Sequence, residues 1–140
     1  MNKLILRLGA LSLLVFLLLA ACAVEEKAAL PVEALSVEMS EFKFQPANLS
    51  VYAGKEISLT LFNQGAVRHD FVILKRGVAA HTPFDPEAQK DAILFSASVE
   101  PQAGGNYGFT LPEAGTYEVI CTVQGHLEAG MKARLTAVAP

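Results

Sequence analysis

Cys121, His126 and Met131 fall within eleven residues, CTVQGHLEAGM, directly behind the alternating run TYEVI. A thiol, an imidazole and a thioether on one polar, glycine-containing loop are three of the four groups required by a copper ion held by one Cys, two His and a weak axial Met. The fourth must come from a strand lying nearby in space. His69, in NQGAVRHDFVIL, stands at a loop-to-strand boundary some fifty residues upstream, where that group is needed. Taken singly, Cys121 reads as a buried inert thiol, Met131 as core filler and His126 as a loop residue. The combination argues for a metal.

Other uses of the same residues fit less well. A cysteine hydrolase would pair Cys121 with a histidine base, but no nucleophile signature surrounds it and Met131 would have no role. Zinc takes Cys and His readily, yet has no particular need of a thioether. A binuclear copper centre needs two cysteines in this loop, which holds only Cys121. His81, the third histidine, lies beside Thr82-Pro83 with no ligand-type residue at metal spacing and reads as exposed and structural. Arg68, next to His69, reads by default as a solubilising charge, or else as a partner for Asp70 or for an acidic protein.

Short strands must position these groups. LSVEMSEFKF (35–44) places Leu35, Val37 and Met39 on one face, whereas Phe42 and Phe44 have the opposite parity, so a bulge or strand change is expected near Ser40 or Glu41. LSVYAGKEISLTLFN reads as two strands around Ala53-Gly54-Lys55, the second with Ile57, Leu59 and Leu61 inward and Ser58 and Thr60 outward. HDFVILK, GNYGFTL, TYEVICTV and MKARLTAV complete the set. About seven strands with turn signals between them predict an all-β, antiparallel sandwich. Between Arg76 and Gly104 runs a long connection, in which Asp85-Pro86-Glu87 resembles an N-cap with proline at the first helical position and predicts a short helix over about 86–92.

The 140 residues suit one domain, and 52% hydrophobic content is ample for its core. Residues 1–21 carry Lys3 and Arg7, then an unbroken apolar run, then small residues before a cysteine, the pattern of an export signal. The uncharged stretch from Leu8 to Val24 is 17 residues, at the short end for a membrane span. LAAC at 19–22 resembles a bacterial lipobox, which implies that Cys22 is acylated and anchors the protein to a membrane. Cys121 would then be the single thiol of the folded domain, and metal ligation would explain its survival in an oxidising compartment. Residues 22–34 read as the lipidated cysteine and a flexible linker, and 35–140 as the domain. Losing Lys3 and Arg7 with the signal takes the formal charge from −3 to −5. No basic cluster suggests nucleic acid.

From about Phe42 to Ala137 the chain resembles the cupredoxins, the small blue copper electron-transfer family. The resemblance rests on FQPANLSVYAGK, on FNQG followed by His69, and on GTYEVICTVQGHLEAGM. The Cys-x4-His-x4-Met spacing is similar to that of the auracyanins, with azurins and plastocyanins more distant. It implies a Greek-key sandwich of seven to eight strands, one type 1 copper ion, Cys121 as thiolate ligand, His69 and His126 as equatorial imidazoles and Met131 as axial ligand. Asp70 stands where many members have asparagine, and can still accept a hydrogen bond from Thr122. Gln124-Gly125-His126 replaces a common Pro-Gly-His.

The expected function is to carry single electrons between a protein donor and acceptor, as an exported monomer anchored on the periplasmic or cell-surface side. It would not be an enzyme. His126 would lie near the surface, ringed by Leu127 and Ala129, as the electron exit. The alternative is a copper-binding module for storage or delivery. Delivery sites favour exposed, Met- or His-rich ligands, and this chain has only three methionines, one the initiator.

Overall fold

The computed structural model describes residues 29–140; the segment read as an export signal, Cys22 and the part of the expected linker up to residue 28 lie outside the described residues. Among the described residues, nine strands form two packed sheets: β1 (Ala34–Ser40), β2 (Lys43–Gln45), β3 (Asn48–Tyr52), β4 (Glu56–Asn63), β5 (His69–Leu74), β6 (Ile93–Val99), β7 (Gly104–Thr110), β8 (Gly115–Ile120) and β9 (Lys132–Val138). One sheet has the order β2-β1-β4-β7 and the other β3-β9-β8-β5-β6. Val32 already bridges to Val51, so the residues just before β1 are tied to the second sheet.

Period-two patterning sets the faces. Leu35, Val37 and Met39 on β1 and Ile57, Leu59 and Leu61 on β4 point into the core, opposite Phe71, Ile73, Val119 and Leu135 of the other sheet. Each such side chain contributes about 1.5–3 kcal/mol by leaving water. The parity break at Ser40 is a hairpin rather than a bulge: Ser40 pairs with Lys43, and the chain reverses through Glu41 and Phe42. Phe44 is buried, whereas Phe42 is half exposed in the turn.

The sheets are mixed rather than antiparallel throughout. β1 runs parallel to β4, and β3 parallel to β9. The reason is that β2 and β3 follow one another through Pro46-Ala47 while changing sheets, so β4, after the turn at Gly54 (φ 71°), comes back beside β1 in the same direction.

All six residues of β5 are buried. Phe71 and Ile73 face the main core, while Val72 and Leu74, with Ile120, are covered on the outer face by Ala80, Phe84, Ile93 and Leu127. The connection after β5 therefore acts as a third layer over one side of the sheet. The predicted helix is absent from it: a turn over 86–89 leads into a 3-10 turn, Lys90–Ala92. Asp85 does cap the turn, accepting from the amides of Glu87 (3.0 Å) and Ala88 (3.1 Å). Few residues follow before Ile93 must enter β6, and so short a helix cannot offset its own nucleation. β6 itself, ILFSASV, lay unrecognised in the supposed long connection. It is an edge strand with small residues, and only Ala97 and Val99 are fully inward.

Candidate metal centre

The start of β5, the ends of β1, β4 and β8, and the start of β9 meet at one end of the sandwich. His69 is delivered there by the β4–β5 loop, which Asn63 ties down. The fully buried Asn63 amide donates to Val67 O (2.8 Å) and Val99 O (2.9 Å), and its oxygen accepts from Gly65 N (2.8 Å). Gln102 adds donations to the carbonyls of Gln64 and Gly65 at 2.8 and 3.0 Å. Neither residue stood out in the sequence, although the FNQG motif contains Asn63.

Cys121 follows β8 directly, and Met131 precedes β9. Between them the loop is braced by its own backbone: Cys121 N–H to Met131 O (3.2 Å), Met131 N–H to His126 O (2.9 Å), His126 N–H to Val123 O (3.0 Å) and Ala129 N–H to Gly125 O (3.0 Å). Gly125 (φ 82°) and Gly130 (φ 93°) supply left-handed turns that other residues adopt only with strain. The loop is thus closed at its base by its own backbone, and Cys121, His126 and Met131 are all buried.

Among the described residues, His69, Cys121 and His126 gather their ligand atoms within 4.8 Å. Nδ1 of His69 lies 3.2 Å from Nδ1 of His126, and Cys121 Sγ lies 3.9 Å from the former and 3.5 Å from the latter. The point equidistant from these three atoms is about 2.1 Å from each, within the ~2.0–2.3 Å that nitrogen and sulfur ligands take around a small transition-metal ion. One sulfur and two imidazole nitrogens at that spacing fit copper.

The surroundings set the protonation of these groups. Burial pushes the Cys121 thiol above its ordinary 9.0, opposed by the amides of Asp70 and Val123. Asp70 N–H points at Cys121 Sγ, 3.4 Å away. Burial also holds the His69 imidazole below its ordinary 6.5, and the neighbouring His126 adds to this. The Asp70 carboxylate accepts from Thr122 Oγ1 (2.6 Å) and Ser98 Oγ (2.7 Å), joining β5, β6 and the loop after β8 behind the site, and Arg68 Nε lies 3.4 Å from it. Arg68 therefore pairs with Asp70 rather than serving only as a free solubilising charge.

The rim around His126 is partly covered. His126 is only 7% exposed, and Phe42 from the β1–β2 turn packs edge-on against it with ring centroids 5.3 Å apart. Leu127, the next residue, packs against the outer cluster on β5 and β8. His81 is exposed in the connection and is not in the metal-site group.

This two-sheet sandwich with a Cys-His-His centre at one end has the architecture of a cupredoxin. Residues 32–138 match the family of copper binding proteins of the plastocyanin/azurin type, and the chain belongs to that family. Its cofactor is one copper ion in a type 1 site. The copper-resistant cuproprotein CopI of Rubrivivax gelatinosus is 30% identical over 103 residues, covering 68% of this chain and 60% of that one. Auracyanin-B of Chloroflexus aurantiacus is 32% identical over 108 residues, 66% of this chain and 46% of its own. The chain thus spans about half to three-fifths of the length of these relatives. The dithionite-reduced auracyanin of Roseiflexus castenholzii shares the fold, with a TM-score of 0.68 at 24% identity over 77% of this chain and 98% of that one.

Proposed function

We propose that this blue copper protein is an electron carrier rather than an enzyme, that Cys121, His69 and His126 form the equatorial plane of its metal and Met131 the axial position, and that it passes single electrons between protein partners outside the cytoplasm. The observation that carries this reading is the triangle of one sulfur and two Nδ1 atoms, buried and held by hydrogen-bonded loops on both sides. Copper bound there supplies a one-electron couple between Cu(II) and Cu(I). The residues hold still: Asn63 fixes the loop before His69, the Cys121–Met131 loop is closed on itself, and Asp70 bonds across strands. A rigid donor set moves little when an electron arrives. Phe42 and the edge of His126 form the side from which an electron would enter or leave.

Cyclic voltammetry with electron self-exchange measurements on the copper-loaded domain tests this. A reversible one-electron wave with fast exchange is expected. Copper lost on reduction would count against a carrier.

The likeness to a copper-resistant cuproprotein favours a second reading, storage or delivery of the metal. Release of Cu(I) to a chelator separates the two, because a ligand set as buried as this one should give the ion up slowly. Tethering to a membrane through Cys22 completes the proposal.

A further inference from the structure

The tip of the β1–β2 hairpin reaches both histidines of the centre. Its two residues are Glu41 and Phe42, and Phe42 holds a left-handed backbone, φ 66°. That conformation costs a residue with a side chain roughly 1–2 kcal/mol, so contacts made by the turn must offset it. Phe42 meets His126 edge-on. Glu41 turns the other way, toward His69.

His69 has one ring nitrogen in the metal triangle and one outside it. The outer one, Nε2, is buried with no hydrogen-bond partner, and an unpaired buried N–H costs about 1–3 kcal/mol. Glu41 Oε1 faces it at 4.0 Å. The same oxygen accepts the Ala66 amide at 2.6 Å, which keeps the carboxylate close to Nε2 and, as the largest influence, holds it below the ordinary carboxyl value of 4.5. Gly65 makes the approach feasible. A Cβ there would stand 2.7 Å from Glu41 Oε1, 2.7 Å from His69 Nε2 and 3.0 Å from Asn63 Oδ1, so any side chain would wedge the two groups apart.

We infer that Glu41 is a positioning residue for His69, its carboxylate accepting the Nε2 proton across this gap so that Nδ1 presents a bare lone pair to the Cys121–His126 side. The inference rests on the ligand assignment proposed above. Closing 4.0 Å to hydrogen-bond length takes about 1 Å, which a partly exposed glutamate can supply by rotating its side chain. Carboxylates placed on the far nitrogen of a metal-binding imidazole orient the ring and raise its basicity. Here the added negative charge favours Cu(II) over Cu(I).

The test compares wild type with Glu41→Gln, which keeps an acceptor for Ala66 but removes the charge, and with Gly65→Ala. Two readouts are needed. One is the reduction potential of the copper-loaded domain. The other is the exchange rate of the His69 Nε2 proton in the Zn(II)-loaded, 15N-labelled domain.

The expected result for Glu41→Gln is a Cu(II)/Cu(I) affinity ratio lowered about tenfold, a rise of about 59 mV for one electron, with faster Nε2–H exchange. Gly65→Ala moves both readouts the same way, and adding Glu41→Gln to it changes little more. Potential and exchange that match wild type in Glu41→Gln, with the thiolate-to-copper absorption intact in both proteins, would overturn the inference. Absence of that absorption from wild type would remove the ligand assignment and this inference with it.

Discussion

Asp70 shows how one charge can serve both stability and the metal. It accepts one hydroxyl proton from β6 and one from the loop after β8, while its own amide points at Cys121 Sγ. In Asp70→Ala the part-buried Ser98 and Thr122 hydroxyls lose their buried acceptor, and a loss of about 1–3 kcal/mol is expected, together with weaker copper binding. Thr122→Val removes one donor only and should cost about 1 kcal/mol. Denaturant titration of the metal-free domain measures both, and equal losses would show that Thr122 alone matters.

The buried ligands also give the metal-free protein a pH dependence with two opposite signs. His69 has a folded-state value below 6.5, so the folded form binds fewer protons than the unfolded chain. Its contribution is fully present above about 6.5 and lost as pH falls through the depressed value. Cys121 is raised, so its contribution is present below the ordinary 9.0 and lost as pH climbs through the raised value. Denaturation midpoints should fall on both sides of a neutral plateau, with the acid limb flattened in His69→Asn and the alkaline limb in Cys121→Ser. A plateau unchanged in both variants would refute this assignment.

Among the elements, those with clean alternation were legible. Ile57, Leu59 and Leu61 against Ser58 and Thr60 fix β4 because one face meets a core and the other water. HDFVIL was legible as a strand, but its burial on both faces depends on the connection folding over Val72 and Leu74, which no local pattern encodes. β6 escaped because Ser96, Ala97 and Ser98 give little contrast between faces. The Cys, His and Met spacing of the ligand loop was plain in the sequence, and so was the Asp70–Thr122 partnership. Glu41 and Phe42 were not, because their roles arise from a turn conformation and from the packing of a hairpin against a distant loop.

Asn63 provides the element-scale prediction. Its side chain makes three hydrogen bonds, two of them buried, that join β4, the loop and β6. Asn63→Ala should cost about 3 kcal/mol, since several buried backbone groups lose partners at once, and should weaken copper binding about tenfold or more by freeing the loop before His69. Calorimetric unfolding and copper competition check the two effects. A stable variant with wild-type affinity would mean that Gln102 alone holds the loop.

At the scale of the whole molecule, the metal-site residues gather at one end of a sandwich whose rigidity comes from two sheets and an added outer layer. The N-terminal segment enters at Val32, and a lipid on Cys22 would leave the domain mobile above a membrane. On that reading Cys22→Ser moves the protein from the membrane fraction to the soluble one and abolishes labelling by a fatty-acid probe. An unaltered distribution with no labelling in wild type would rule the anchor out.

The most direct measurement is the visible and EPR spectrum of residues 23–140 after one equivalent of Cu(II), beside Cys121→Ser. Coordination by Cys121, His69 and His126 predicts an intense thiolate-to-copper absorption with narrow copper hyperfine splitting, both lost in the variant. A pale, ordinary Cu(II) spectrum, or one unchanged in Cys121→Ser, would contradict it.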